Sequence, residues 1–428
     1  MSEIRESESG TSLQKNNVMN FVGAGLLCIG TFLLVFMMWK IFPVQYRGSA
    51  DEGHYLSYVT ALTEHGIKIY PKIYEAYIED SSRWLYPNPL RLSHYLVVAG
   101  FAKIFSPSFN LLTIVSAISH SLLVGITFLF ARRRYSFRIS FATAVLLAVS
   151  PLALGLGRRA LIDSYSILWG GLSIWCFLDC LRYRESWYKW ASFIIVFVIA
   201  ILAKETNVLL SIVFIAWPII SYGKRLDRKL VMLLGGSLVG AWGLTLLAYI
   251  LSAGGLSPFL TVVKLILYSP SSNEYALRFG SGPWFTYIVD FILISPITSL
   301  FAIGMGGILL AGKREQENSE SLFFLFLIAS LLFTFSFFTK NVRYVGLIVL
   351  PMSFLTAMFV NELSRRWKGA WQHVFFALVI IAVCTTELVS FKRIFINYQT
   401  YDPVTYRLLL SREMIPGKSY KRVKKVKP

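Results

Sequence analysis

Long apolar runs and short polar connectors alternate along this 428-residue chain. The first run extends from Phe21 to Trp39, and others follow at roughly 110–131, 139–155, 163–181, 188–203, 207–222, 230–252, 285–311, 322–338, 343–361 and 371–391. About 20 apolar residues in a helix cross the ~30 Å hydrocarbon core of a bilayer. The pattern therefore predicts an all-α polytopic membrane protein of about eleven to thirteen helices. The segment "PLRLSHYLVVAGFAKIF" (89–105) is shorter, opens on Pro and Arg, and carries His94 and Lys103. It reads as an interfacial or re-entrant helix. No repeat, low-complexity linker or soluble domain interrupts the pattern. The expected organisation is a cytoplasmic segment 1–19, one transmembrane catalytic domain 20–391 with a first outer loop at 42–109, and a basic tail 392–428.

Composition agrees: 55% of residues are hydrophobic and 15% charged, against about 25% charge in soluble proteins. A net charge of +19 would suggest nucleic acid in a soluble chain, but here Lys and Arg collect in short loops, as the positive-inside rule expects. Nucleic acid is excluded as a partner on that ground. If 89–105 does not cross, the clusters at 132–138, 182–189, 223–229, 312–315 and 364–368 all share the cytoplasmic face; the terminal "KSYKRVKKVKP" then lies outside and disobeys. The N-terminus is polar and mixed in charge, and no small-residue cleavage pattern follows the first run, which reads as a retained signal-anchor. Four cysteines, Cys28, Cys176, Cys180 and Cys384, lie inside apolar runs without metal-ligand spacing and read as packing residues.

The opposite face then gathers "ADEGHY" (50–55), "RRALID" (158–163), "AKET" (203–206), the loop 253–284 and "TKNVRY" (339–344). Asp51 and Glu52 are adjacent, so they cannot face one group together. One suits a general base, the other a partner for a metal or hydroxyl; capping of an interfacial helix is the structural alternative. Asp163 opens a span, where helix capping competes with function. Arg158, Arg159, Lys204 and Arg343 stand at helix ends and Arg91 in the short segment, so snorkelling to lipid headgroups competes with phosphate binding. Lys204 and Glu205 sit together in a tight turn. His54 reads as a hydrogen-bond partner before a metal ligand. Carboxylates, phosphate-binding cations and a lipid-facing helical wall together imply a lipid-linked phosphate as substrate.

These residues resemble the GT-C glycosyltransferases, specifically the branch of protein O-mannosyltransferases and lipid A aminoarabinose transferases. The resemblance runs in order over roughly 20–390. It comprises the Asp51–Glu52 pair, Pro89–Leu90, "RRALIDS", "LAKET", "GPWFTY" (282–287) with Pro296 beyond it, and "KNVRYVGLIVLP" (340–351). It implies transfer of a sugar, with inversion, from a polyprenyl-phosphate donor to a lipid, glycan or protein acceptor at the outer face. Asp51 would be the general base, Glu52 its site partner and Asp163 a second acid. Arg343, Lys204, Arg159 and Arg91 would hold the donor phosphate, and His54, Tyr55, Glu205, Trp284, Tyr287 and Tyr344 would shape the site.

Two departures separate the chain from the aminoarabinose transferases. "YPNPL" (86–90) stands where a Glu-Lys-Pro-Pro-Leu segment is expected, and "ALRFGS" (276–281) replaces a histidine before "GPW". No cofactor is required by the pattern, and a divalent metal ion is left open; Arg83 or Arg91 would replace the missing lysine. The alternatives are a lipid-linked glycan flippase, or a polysaccharide polymerase or ligase. A flippase should show repeat symmetry and mid-membrane charge; the Asp-Glu pair counts against a polymerase. The modest length favours a bacterial inner membrane over the endoplasmic reticulum.

Overall fold

The computed structural model describes residues 2–44, 50–85, 87–223, 226–272, 277, 280–312 and 319–401, with side chains from residue 18 onward except at 50, 85 and 269–272. All described elements are helical. In order they are α1 (Ser2–Ile41), α2 (Ala50–His65), α3 (Tyr70–Glu79), α4 (Leu92–Phe105), α5 (Phe109–Arg132), α6 (Phe137–Val149), α7 (Pro151–Gly157), α8 (Asp163–Arg182) and α9 (Trp187–Ala203). Then come α10 (Leu210–Tyr222), α11 (Arg228–Ala253), α12 (Leu256–Ser272), α13 (Thr286–Ile294), α14 (Pro296–Ala311), α15 (Ser319–Phe335), α16 (Val349–Ser364) and α17 (Ala370–Phe391). Seven described helices are long and apolar enough to cross a bilayer, a bent pair makes an eighth, and five shorter apolar helices complete the bundle. Spans and shorter apolar helices together come to roughly the number expected.

Two apolar runs that read as single spans are broken by proline. Residues 139–155 divide at Ser150–Pro151, where α6 and α7 meet at 57°. Residues 285–311 divide at Ser295–Pro296. Proline has no N–H to give the preceding turn and its ring crowds that turn's carbonyl. At 14 residues α4 is about 21 Å long, short of the ~30 Å core; it packs on α2. The loop 253–284 contains α12, which packs against α3. Gly254 ends α11 at φ 76°, and a Cβ there would stand 3.2 Å from Pro71.

Burial separates the helices into inner and outer members. Four-fifths of α16's span (83%) and most of α8's (78%) are buried, against 17% for α1 and 28% for α17. The last helix continues through a wide turn, Lys392–Asn397, whose Ile394 and Phe395 are buried. Phe395 lies against Gly155. The first residues of the expected tail are therefore packed; 402–428 fall outside the described residues.

Charge marks the two ends of the bundle. At one end Arg134 pairs with both Asp179 and Glu320, Lys189 reaches Asp179 at 3.0 Å and Lys229 pairs with Glu185. Arg138 donates to Asn361 there. The basic loops 132–138, 182–189, 226–229 and 364–368 thus share one end, as charge alone predicts; residues 224–225 and 313–315 fall outside the described residues. The acidic and basic residues of 50–55, 158–163, 203–206 and 339–344 meet at the other end. Asp163 and Asp179 lie near opposite ends of α8, about 24 Å apart along its axis.

Close approach of α1 and α5 depends on Gly125. A Cβ there would overlap the Cys28 sulfur and stand 3.1 Å from the Ala24 carbonyl oxygen. Small residues let membrane helices approach in this way. Gly125→Val is expected to cost about 1–3 kcal/mol by overpacking, read as a lower thermal midpoint in detergent. Gly25→Val, where a Cβ meets open space, should shift that midpoint far less.

Candidate functional site

Asp51 and Glu52 occupy the first turn of α2, so their side chains leave the helix in different directions. Asp51 accepts from Arg343 Nη1 at 2.9 Å. Glu52, 2% exposed, accepts from Arg159 Nε at 2.8 Å. Capping position and ion pairing thus coexist: the helix end supplies partial positive charge, and each acid takes its own arginine.

Asp163 is the first residue of α8 and makes no side-chain cap. Its Oδ1 accepts from Lys204 Nζ at 2.6 Å, and its Oδ2 lies 3.8 Å from Arg343 Nη1. Lys204 can reach it because the chain is extended there, at φ −156° and ψ 122°, between α9 and the 3-10 turn Glu205–Leu209. The Lys204 ammonium also stands 4.9 Å from the Tyr344 ring centroid. Glu205 accepts from Asn88 Nδ2 at 2.9 Å and faces Arg91 Nε at 3.6 Å; Arg91 donates to the Tyr55 hydroxyl. Burial pushes the Tyr55 phenol well above its usual range, which keeps it a neutral hydroxyl.

Arg343 stands on the 3-10 turn Val342–Ile348, whose start is capped by Asn341 accepting from the Arg343 backbone N–H at 3.0 Å. Tyr287 fixes that corner: its hydroxyl accepts from the Asn341 N–H at 3.0 Å and donates to the Thr339 carbonyl at 3.4 Å. Tyr287 therefore positions the arginine segment and does not itself pair with an acid. Trp284 is 69% exposed and meets Phe285 edge-on, outside the cluster. His54 is half-buried near Tyr58; burial first, and the charge of Arg83 next, hold its imidazole below the usual range and so neutral at pH 7.

Snorkelling does not describe the cations. Arg159 is 8% exposed and Lys204 4%, and each turns inward to a buried carboxylate. A small cleft opens beside the cluster. Asp163, Ser166, Lys204, Asn207, Arg343 and Tyr344 form its polar end, while Leu210, Leu331 and Phe335 form an apolar wall. Sequence reading missed Asn88, Ser166 and Asn207. Asn88 stood in view between two prolines of "YPNPL", whereas Asn207, which donates to Ser166 Oγ at 2.9 Å, carries no spacing signal.

Among the described residues, no group of three His, Cys, Asp or Glu side chains gathers to hold a metal. The carboxylates present are each taken by a Lys, Arg or Asn donor. This donor set does not fit a divalent ion, and no step is routed through one.

Residues 92–250 match the family described as dolichyl-phosphate-mannose-protein mannosyltransferase, less than half of the chain. Among curated proteins, none matches the chain by sequence. Solved structures do. The chain superposes on ArnT from Cupriavidus metallidurans bound to undecaprenyl phosphate with a TM-score of 0.53 at 16% identity, covering 85% of this chain and 64% of that one. The apo state of the same protein gives 0.54 at 13%, covering 86% and 72%. The Archaeoglobus fulgidus oligosaccharyltransferase in its apo form gives 0.58 at 12%, covering 88% of this chain and 55% of its own length. At these identities the likeness is one of fold. The chain has the GT-C membrane fold, as its motif string implies, and spans about two thirds or less of the ArnT and oligosaccharyltransferase chains in two of the three comparisons.

Removing one member of a buried ion pair leaves the other charge stranded, at a cost of about 3–5 kcal/mol. Asp163→Leu and Lys204→Met should each lower stability on that scale, while the double variant should fall well short of their sum. Thermal unfolding of the four proteins in detergent measures the coupling; strict additivity would refute the pairing.

Proposed function

We propose that the chain is an inverting glycosyltransferase that moves a sugar from a polyprenyl-phosphate donor to an acceptor hydroxyl. The observation that carries this reading is the cleft whose polar end holds Lys204 and Arg343 beside Asp163, whose wall is apolar, and whose Arg343 also grips Asp51 at 2.9 Å. A polyprenyl phosphate has the same division: an anionic head and a hydrocarbon tail. The fold shared with a protein solved with undecaprenyl phosphate supports the same donor class.

In this reaction Lys204 and Arg343 bind the donor phosphate through charge-assisted hydrogen bonds, and they stabilise the charge that grows on it as the sugar departs. Arg343 turns from Asp51 to the phosphate, which leaves Asp51 free to accept the acceptor's hydroxyl proton. The hydroxyl oxygen attacks the anomeric carbon as the carbon–oxygen bond to phosphate breaks, and polyprenyl phosphate leaves with that electron pair. A single displacement inverts the anomeric centre. Arg159 holds Glu52, while Arg91, Glu205 and Tyr55 brace the first outer loop against the α9–α10 turn.

The crowding of basic loops at the opposite end supports an outer-face site by the positive-inside rule, with residues 20–391 as one catalytic domain and 42–109 as its first outer loop. The reading places the protein in a bacterial inner membrane, with a lipid, glycan or protein as acceptor.

Asp51→Asn tests the assignment, since an amide cannot take the proton. Loss of a general base lowers the rate by about 10²–10⁴-fold, with folding and donor binding kept. In cells carrying the variant, mass spectrometry should show one polyprenyl-phosphate sugar accumulating while one surface glycan loses a residue. Unchanged profiles with the folded variant present would sink the reading.

A further inference from the structure

Arg158 plays no part in that reaction, yet it is the least compensated charge at this end of the bundle. Its side chain is 2% exposed. Nη2 donates to the backbone carbonyl of Phe42, but Nε and Nη1 are both buried without a hydrogen-bond partner. Among the described residues it forms no ion pair, because Glu52 is taken by Arg159 next door. A guanidinium stays protonated when buried, so it cannot escape the cost of desolvation by losing a proton as a lysine can. A buried, unpaired cation calls for an anion.

The surroundings indicate what kind of anion. Phe42 directly follows α1, and the Arg158 guanidinium carbon lies 5.9 Å from the ring of Phe391, the last residue of α17. Those two helices are the least buried of the long spans, at 17% and 28%, and toward its Phe42 end α1 presents Leu33, Phe36, Met37 and Ile41 as exposed apolar side chains. Arg158 therefore stands beside the ends of the two least buried spans. It is separate from the cleft lined by Lys204 and Arg343, which does not include it.

We propose that Arg158 is the anchor of a phosphate-binding site occupied by the phosphodiester headgroup of a membrane lipid, whose acyl chains run along α1 and α17. Nε and Nη1 supply the donors the phosphate oxygens accept. The site is distinct from the donor phosphate site and does not depend on the proposed transfer reaction. A lipid held there ties the end of the first helix to the end of the last one, beside the Glu52–Arg159 pair.

The test uses the full chain in detergent, stripped of lipid, with thermal unfolding followed during titration. The probes are dioleoylphosphatidylglycerol, dioleoylglycerol with the same chains and no phosphate, and inorganic phosphate. Phosphatidylglycerol should raise the midpoint, dioleoylglycerol should not, and Arg158→Gln should weaken the apparent affinity by roughly tenfold or more, the scale of a lost charged hydrogen bond. A full response to inorganic phosphate alone would keep the anion site and assign it to the free ion. Equal protection by dioleoylglycerol, or an undiminished phosphatidylglycerol response in Arg158→Gln, would overturn the proposal. Should that variant not fold, arginine side-chain NMR of the wild type decides, with Arg158→Lys supplying the assignment. An Arg158 Nε–H signal that moves with phosphatidylglycerol supports the site, and one that does not move rejects it.

Discussion

Charge burial at one end of an apolar bundle is the constraint from which the site follows. A carboxylate or ammonium taken out of water is tolerated only when paired and hydrogen-bonded, and here the pairs run in chains. Asp51 meets Arg343, which approaches Asp163, which holds Lys204. Arg91 links Glu205 to Tyr55, and Arg159 holds Glu52. No helix supplies both members of any of these pairs. Each link therefore fixes the relative height of two chain segments: the start of α2 against 342–348, and the start of α8 against the α9–α10 turn. The breaks in regular helix at 158–163, 204–209 and 339–348 are where the backbone departs from the spans to deliver these side chains.

Much of this was legible in the sequence because membranes make sequence patterns blunt. Apolar runs gave the helices, and before any contact was known charge gave the common end of the four basic clusters that the described residues reach. The segments "ADEGHY", "RRALID", "AKET" and "KNVRY" were grouped by topology alone, and the structure joins Asp51, Arg343, Asp163 and Lys204 in one chain of contacts, with the pairs Glu52–Arg159 and Glu205–Arg91 at the same end. What the sequence could not convey is direction. Adjacency showed that Asp51 and Glu52 diverge, but not that each meets an arginine over 100 residues away. Trp284, attractive in "GPWFTY", projects outward, while Tyr287 three residues on turns inward to hold the Arg343 corner. The prolines at 151 and 296 were visible, yet hydropathy averages across a kink, so the two broken helices read as straight ones.

Arginine burial shows the limit of the snorkelling argument. Long cationic chains at span ends ordinarily reach for water or headgroups, and residue type cannot tell that case from an inward ion pair. The difference lies in what is packed beyond the helix end. Arg159 is capped by the Tyr401 ring at 4.3 Å, a residue from the stretch after the last span, which no local pattern near position 159 announces. The chain's last described residue thus covers an arginine in the connector between α7 and α8.

The network is balanced as it stands: Asp51, Asp163 and Glu205 face Arg91, Lys204 and Arg343. That balance has a chemical consequence on the proposed reading. A phosphate entering the cleft brings negative charge into a neutral cluster, so it can bind only by taking donors that the carboxylates now hold. Lys204 keeps Asp163 at 2.6 Å, but Arg343 is divided between Asp51 at 2.9 Å and Asp163 at 3.8 Å, which makes it the donor most readily shared. Its transfer to phosphate strips Asp51 of its counter-ion while leaving Asp163 held by lysine. A carboxylate oxygen that already accepts from a guanidinium is occupied and less open to an incoming hydroxyl. On the proposed reading the arrangement would couple two events that a transferase must keep together: the base would become competent when the leaving group is in place, and an acceptor arriving alone would meet a carboxylate still occupied.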